Sequence, residues 1–307
     1  FTAAGDLVIH DARGLEIQPV AAEADHEPTR VEIPPPQATG RGGMGPWTSG
    51  GPLTRDEDGR ILAFGRGRSV YLWDADHPDA TIPVIVEDPR RRFLESLDDS
   101  DGSGRSRGGP RGGSGAFGGG SFSGGRPKLL QLSPEADRLY IQTEEPPFVQ
   151  VWTLNRGGDR ATATVEPWPT PPPRSPASIA LSPDGGLLAI QENGGAVVLF
   201  DAPRLIPLGR IEPIADDPET QASALAFAPD GLQLAVGSQQ GAVRLWDVSD
   251  PSSPRPTLRL PGEAGKTAAL AFRRDGRRLA VACQDSLVEV WDLDALDVEL
   301  LRLGLGD

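Results

Sequence analysis

The sequence predicts an all-β fold made of repeated four-stranded antiparallel sheets. Three observations carry that reading: a unit that recurs along the chain, turn-forming residues such as Asp-Gly at a fixed place in it, and short runs of Val, Leu, Ile and Phe between polar loops.

The stretches SIALSPDGGLLAIQENGGAVVLFD at 178–201, ALAFAPDGLQLAVGSQQGAVRLWD at 224–247 and ALAFRRDGRRLAVACQDSLVEVWD at 269–292 align without gaps. Looser copies, LLQLSPEADRLYIQTEEPPFVQVWT at 129–153 and PLTRDEDGRILAFGRGRSVYLWD at 52–74, bring the total to five. GDLVIHD at 5–11 is a truncated sixth, with His10 where the others carry Trp or Phe. Asp201 to Asp247 spans 46 residues and Asp247 to Asp292 spans 45, close to the roughly 40–45 of a four-stranded propeller blade.

Each unit opens with a short apolar strand and a turn such as SPDG or APDG, whose Asp-Gly pair is expected to supply the positive φ of a two-residue hairpin. A second apolar strand, a polar loop and an alternating strand ending in Trp-Asp follow, and a fourth strand such as PTLRLPG completes the unit. A helical reading fails because Pro and Gly interrupt every window before it reaches about 10 residues. Trp73, Trp152, Phe200, Trp246 and Trp291 share one repeat position, with Asp74, Asp201, Asp247 and Asp292 behind the aromatic, so these are read as architecture. Trp47 and Trp168 lie off that register and are expected to pack beneath long loops.

The expected organisation is a single β-propeller domain over 1–307, with five complete blades and a partial N-terminal one. The partial blade covers 1–19, and the blades cover 52–86, 128–168, 178–213, 223–262 and 267–303. A Pro/Gly-rich insertion occupies 20–51 and a Gly/Ser/Arg-rich one 87–127. Six or seven blades are expected in the full protein, with missing strands before Phe1.

With LWD at 72–74, LWD at 245–247 and VWD at 290–292, the chain resembles the WD-repeat β-propeller family in a degenerate, bacterial-type form. The family's Gly-His dipeptide is absent from every unit, and Asp285 alone clearly falls where the family often places the Asp of its polar network. Blades held mainly by apolar packing are therefore expected. The resemblance implies a non-catalytic platform for protein–protein interaction or regulation, often found beside a kinase domain. It also places both insertions on the face that carries the loops between second and third strands, opposite the SPDG turns.

The net charge of −14 over 307 residues disfavours phosphate backbones and anionic lipid surfaces. No apolar run approaches the roughly 18 residues of a membrane helix, and the start lacks a signal pattern, so a cytoplasmic location is expected. Without an initiating Met the chain reads as a piece of a longer protein, with a covalently linked upstream domain, or as a processed product. Cys283, the single cysteine, lies in an apolar run and is expected to be a packed thiol.

Little in the sequence supports chemistry, and no catalytic, cofactor-binding or metal-binding residue is assigned. His10, His26 and His77 have no metal-ligand spacing. GEAGKT at 262–267 is similar to a phosphate-binding loop, but Leu260 stands where its first glycine belongs and a strand follows, so it reads as a turn between blades. There is no G-x-S-x-G elbow. The acidic pairs Glu144 with Glu145 and Asp216 with Asp217 read as solvated loops. Two alternatives remain open: a lactonase-like propeller enzyme or small-ligand binder with a polar central cluster, and RNA contact through the 87–127 insertion. That insertion is expected to be disordered, and it offers Arg105, Arg107 and Arg111 with Phe117 and Phe122.

The expected contact surface is the loop set between second and third strands: Arg66, Arg68, Thr143, Glu144, Glu145, Glu192, Asn193, Gln239, Gln240, Gln284 and Asp285. Side chains there are free of blade packing and can meet a protein partner.

Overall fold

The computed structural model describes residues 7–10, 14–18, 29–32, 52–67, 69–78, 81–86, 126–143, 148–157, 160–170, 173, 176–213, 222–262, 265–284 and 287–303. The chain forms two compact units, Phe1–Glu145 with Gln150–Pro167, and Pro146–Val149 with Trp168–Asp307. Most of the 20–51 insertion, and all of 87–127 except residues 126 and 127, lies outside the described residues.

The first unit begins with an antiparallel sheet of β1 (Leu7–His10), β2 (Gly14–Gln18) and β3 (Thr29–Glu32). Strand β3 falls inside the stretch expected to be an insertion; Glu16 of β2 lies opposite Ile9 of β1 on one side and Arg30 of β3 on the other, and His10 lies opposite Leu15. Next come β4 (Leu53–Arg55), β5 (Ile61–Arg66), β6 (Ser69–Asp74) and β7 (Thr81–Val86), then β8 (Pro127–Leu132), β9 (Arg138–Thr143), β10 (Val149–Gly157) and β11 (Arg160–Val165). These two antiparallel quartets were expected as separate sheets. Instead they join in the order β4-β5-β6-β7-β11-β10-β9-β8, through a parallel β7–β11 pairing that sets Val84 opposite Ala161 and Val86 opposite Ala163. The pairing covers two edges that would otherwise carry unpaired backbone groups. Leu132 N–H donates to Thr54 Oγ1 at 3.3 Å, drawing the sheet's far edges together into a nearly closed barrel. Ile61, Leu72, Val84, Leu130, Ile141 and Trp152 fill its interior.

The second unit stacks three sheets. The first is β12 (Ser178–Leu181), β13 (Leu187–Gln191), β14 (Val197–Asp201) and β15 (Ile206–Ile211); the second is β16 (Ala222–Phe227), β17 (Gln233–Ser238), β18 (Val243–Asp247) and β19 (Arg255–Leu260). The third has β20 (Thr267–Phe272), β21 (Arg278–Cys283) and β22 (Val288–Asp292). Ala235, Val243 and Leu245 of the second sheet pack against Leu279, Val281 and Trp291 of the third. This face-to-face packing of repeated four-stranded antiparallel sheets is the all-β propeller class that the repeat predicts.

The last repeat ends differently. After β22 the chain forms α1 (Leu293–Arg302) where a fourth strand was expected. Leu293, Leu296 and Leu300 have helical spacing, the Asp292 carboxylate caps the helix by accepting the Ala295 N–H at 3.1 Å, and no proline interrupts it. The fourth strands RPTLRL and IPLGRI each carry a proline that a helix interior would reject. Without a following sheet or strand in the described residues, Val288 and Val290 are 64% and 63% exposed, against 1% and 3% for Val243 and Leu245 at the same repeat positions.

The hairpin turns also differ from the two-residue form expected. In SPDG, Ser182 N–H donates to Leu187 O at 2.8 Å and Gly185 N–H to Ser182 O at 2.9 Å, so four residues separate the paired ends. Leu187 N–H also donates to Ser182 Oγ at 2.8 Å. Only the fourth residue of the SPDG motif and of its counterparts takes positive φ: Gly59, Gly185, Gly231 and Gly276 lie between +70° and +74°, and Ala136 lies at +53°. Proline in the second place fixes φ near −65°, which suits a type I turn and excludes the mirror-image two-residue one.

Candidate interaction surface

The loops after the second strands of the second unit share one construction. Glu192 N–H donates to Ala196 O at 2.8 Å, Ser238 N–H to Ala242 O at 2.8 Å, and Cys283 N–H to Leu287 O at 2.9 Å. Each loop therefore has three residues, and Asn193, Gln239 and Gln284 stand first in theirs. Gly195 and Gly241 stand last with φ of +93° and +88°, as a three-residue hairpin loop requires. Asn193, Gln239, Gln240 and Gln284 are all exposed.

Buried polar groups tie these loops to the next sheet. Gln191, 3% exposed, donates from Nε2 to Ala222 O. Ser223 Oγ lies 2.8 Å from both Ser238 O and Thr267 O, and buried Thr267 donates from Oγ1 to Gly241 O at 3.3 Å. Gln191, Ser223 and Thr267 were missed at the sequence level, although polar residues inside otherwise apolar strands were the available signal.

Other expected contact residues have different surroundings. Thr143 was expected in an exposed loop; it is the last residue of β9 and 0% exposed, because the strand runs two residues beyond its apolar run, which ends at Ile141. Glu192 is half-buried and paired with Arg210 of β15 at 2.6 Å. Arg66 is half-buried at the end of β5, opposite Ser69. Arg68, Glu144, Glu145 and Asp285 lie outside the described residues.

The repeated aromatic and Asp positions have structural partners. Trp73 Nε1 donates to Pro78 O at 3.0 Å, Trp152 Nε1 to Gln150 Oε1 at 3.0 Å and Trp291 Nε1 to Glu289 Oε2 at 3.3 Å, so local acceptors serve these indoles. Asp74 and Asp247 accept N–H groups two residues ahead, both at 2.9 Å, and Asp201 accepts from Arg204 N–H at 2.8 Å, turning the chain at the strand end. Neighbouring Ser249 holds the Asp247 carboxyl below its usual range through its hydroxyl and N–H. Phe200 is buried against Trp168, whose ring meets it edge-on at 5.4 Å.

Among the described residues no group of three or more His, Cys, Asp or Glu is arranged to hold a metal ion, and no helix is long and apolar enough to cross a membrane. Cys283 is buried and takes part in no disulfide.

The family model described as WD domain, G-beta repeat matches residues 217–247 and 255–292. The second match starts on β19 and ends on β22, so one sequence repeat joins the fourth strand of one sheet to three strands of the next. No curated protein matches the chain.

Proposed function

We propose that this chain, which carries WD repeats, is a non-catalytic platform for protein–protein interaction that meets its partner through the loops after its second strands. In this reading the sheets belong to one propeller domain, and the repeats supply a rigid frame while the loops supply recognition.

One observation supports the reading above the others: Asn193, Gln239 and Gln284 occupy the first place of the same loop in three consecutive sheets and are exposed over a buried polar framework. A carboxamide both donates and accepts, so three of them can read the backbone or polar side chains of a partner surface. That WD repeats generally serve as interaction modules agrees with it.

The test is affinity capture from an extract of the source organism with the wild-type chain and with N193A/Q239A/Q284A. All three positions are exposed, so the triple variant keeps its fold by circular dichroism, and recovery of the partner falls at least about tenfold. Equal recovery by both chains contradicts the proposal.

A further inference from the structure

We propose that the first unit carries a small-ligand site of its own, at the turn-bearing end of its eight-stranded sheet, suited to an aliphatic zwitterion of the α-amino acid class. A pocket of about 420 Å³ opens there, within the roughly 300–1,000 Å³ of small-molecule sites and at the mouth of a barrel-like sheet, where such sites are common. Its floor is aliphatic: Ile61, Leu72, Ile82 and Leu154. Its rim carries Asp74, His77, Asp137 and Arg156.

Three departures from the repeat meet at this pocket. The fourth turn residue is Gly59, Gly185, Gly231 or Gly276 in four units, but the unit that lines the pocket has Ala136, held at a φ of +53°. The Ala136 methyl is kept in a conformation that disfavours any side chain, and it is buried in the pocket wall. Strand β10 runs for nine residues, whereas β14, β18 and β22 stop at the Asp after the aromatic. That extension brings Leu154 and Arg156 to the site, opposite the small residues Ala163 and Ala161. The third departure is the β7–β11 pairing, which closes the wall between Ile82 and Leu154.

The rim sets the ligand class. Asp74 Oδ1 accepts Asp76 N–H at 2.9 Å and Asp137 Oδ1 accepts the Ser133 hydroxyl at 2.6 Å. Among the described residues no hydrogen bond uses Oδ2 of either carboxylate, and no ion pair joins Asp74, His77, Asp137 and Arg156 to one another. Arg156 makes one long bond, from Nη2 to Glu135 O at 3.4 Å. A purely cationic ligand would leave Arg156 unmatched, and a purely anionic one would face two carboxylates. An ammonium and a carboxylate on one small aliphatic molecule satisfy both signs.

The experiment is a titration of the full chain with leucine, 4-methylpentanoate and isopentylamine, followed by backbone amide shifts. Leucine should saturate shifts at Ala136 and Leu154, with each single-charge probe at least about tenfold weaker. Arg156→Gln and Asp137→Asn, both at exposed side chains, should each weaken leucine about tenfold, and Ile82→Trp should fill the pocket and abolish binding. Absence of saturable leucine shifts, equal affinity for the three probes, or leucine binding unaffected by both rim substitutions would each overturn the proposal.

Discussion

Gly237 on β17 lies so close to Thr267 on β20 that a Cβ at position 237 would stand 2.5 Å from Thr267 Cγ2 and 2.7 Å from its Cβ. Thr267 is fully buried and bonded to Gly241 O, so it has little room to give. Gly237→Ala should therefore cost about 1–3 kcal/mol, read as a lower urea midpoint with an unchanged slope. Thr267→Ser removes the nearest atom and should recover part of that loss in the double variant.

Gly231 separates backbone strain from packing. Its φ is +73° and the nearest atoms to an added Cβ are 4.0 Å away. Gly231→Ala should cost about 1–2 kcal/mol from conformation alone, and Gly231→Asn should cost less because Asn tolerates this region better. Urea unfolding of the two variants checks the order.

Val243 and Val288 share a repeat position but not an environment, at 1% and 64% exposure. Val243→Ala should cost about 1–3 kcal/mol, whereas Val288→Ala should stay within about 0.5 kcal/mol of the parent. A similar loss at both positions, measured by chemical denaturation, would show that Val288 is covered in solution.

Asp184 gives the turn network a pH signature. The Ser182 hydroxyl and Gly186 N–H hold its carboxyl below the usual value of 3.8. A carboxyl depressed in the folded state contributes stability that is present above its unfolded value and lost as pH falls through the folded one. The thermal stability difference between the wild type and Asp184→Asn should thus be largest near neutral pH and shrink below about pH 4.

The repeat was legible because its signals are local: alternation, a turn proline and an Asp that closes the third strand act within a few residues. The β7–β11 junction was not, since a parallel pairing between residues 77 apart in the chain leaves no local mark. Helix α1 was hidden by the regularity of the preceding units, although Leu293, Leu296 and Leu300 carried its period. At the candidate surface the exposed amides Asn193, Gln239 and Gln284 were visible as loop residues. Thr143 was misplaced because a polar strand terminus and a loop start look alike in sequence. Gln191 and Thr267 were missed because their roles depend on a neighbouring sheet.

Photo-crosslinking tests the interaction surface most directly. Benzoylphenylalanine is placed at Gln239, on a loop after a second strand, and separately at Asp230, in the turn at the other end of the same strand; both positions are exposed. With the captured partner bound, the residue at 239 should form the covalent adduct and the residue at 230 should not. An adduct at 230 with none at 239 would contradict recognition through these loops.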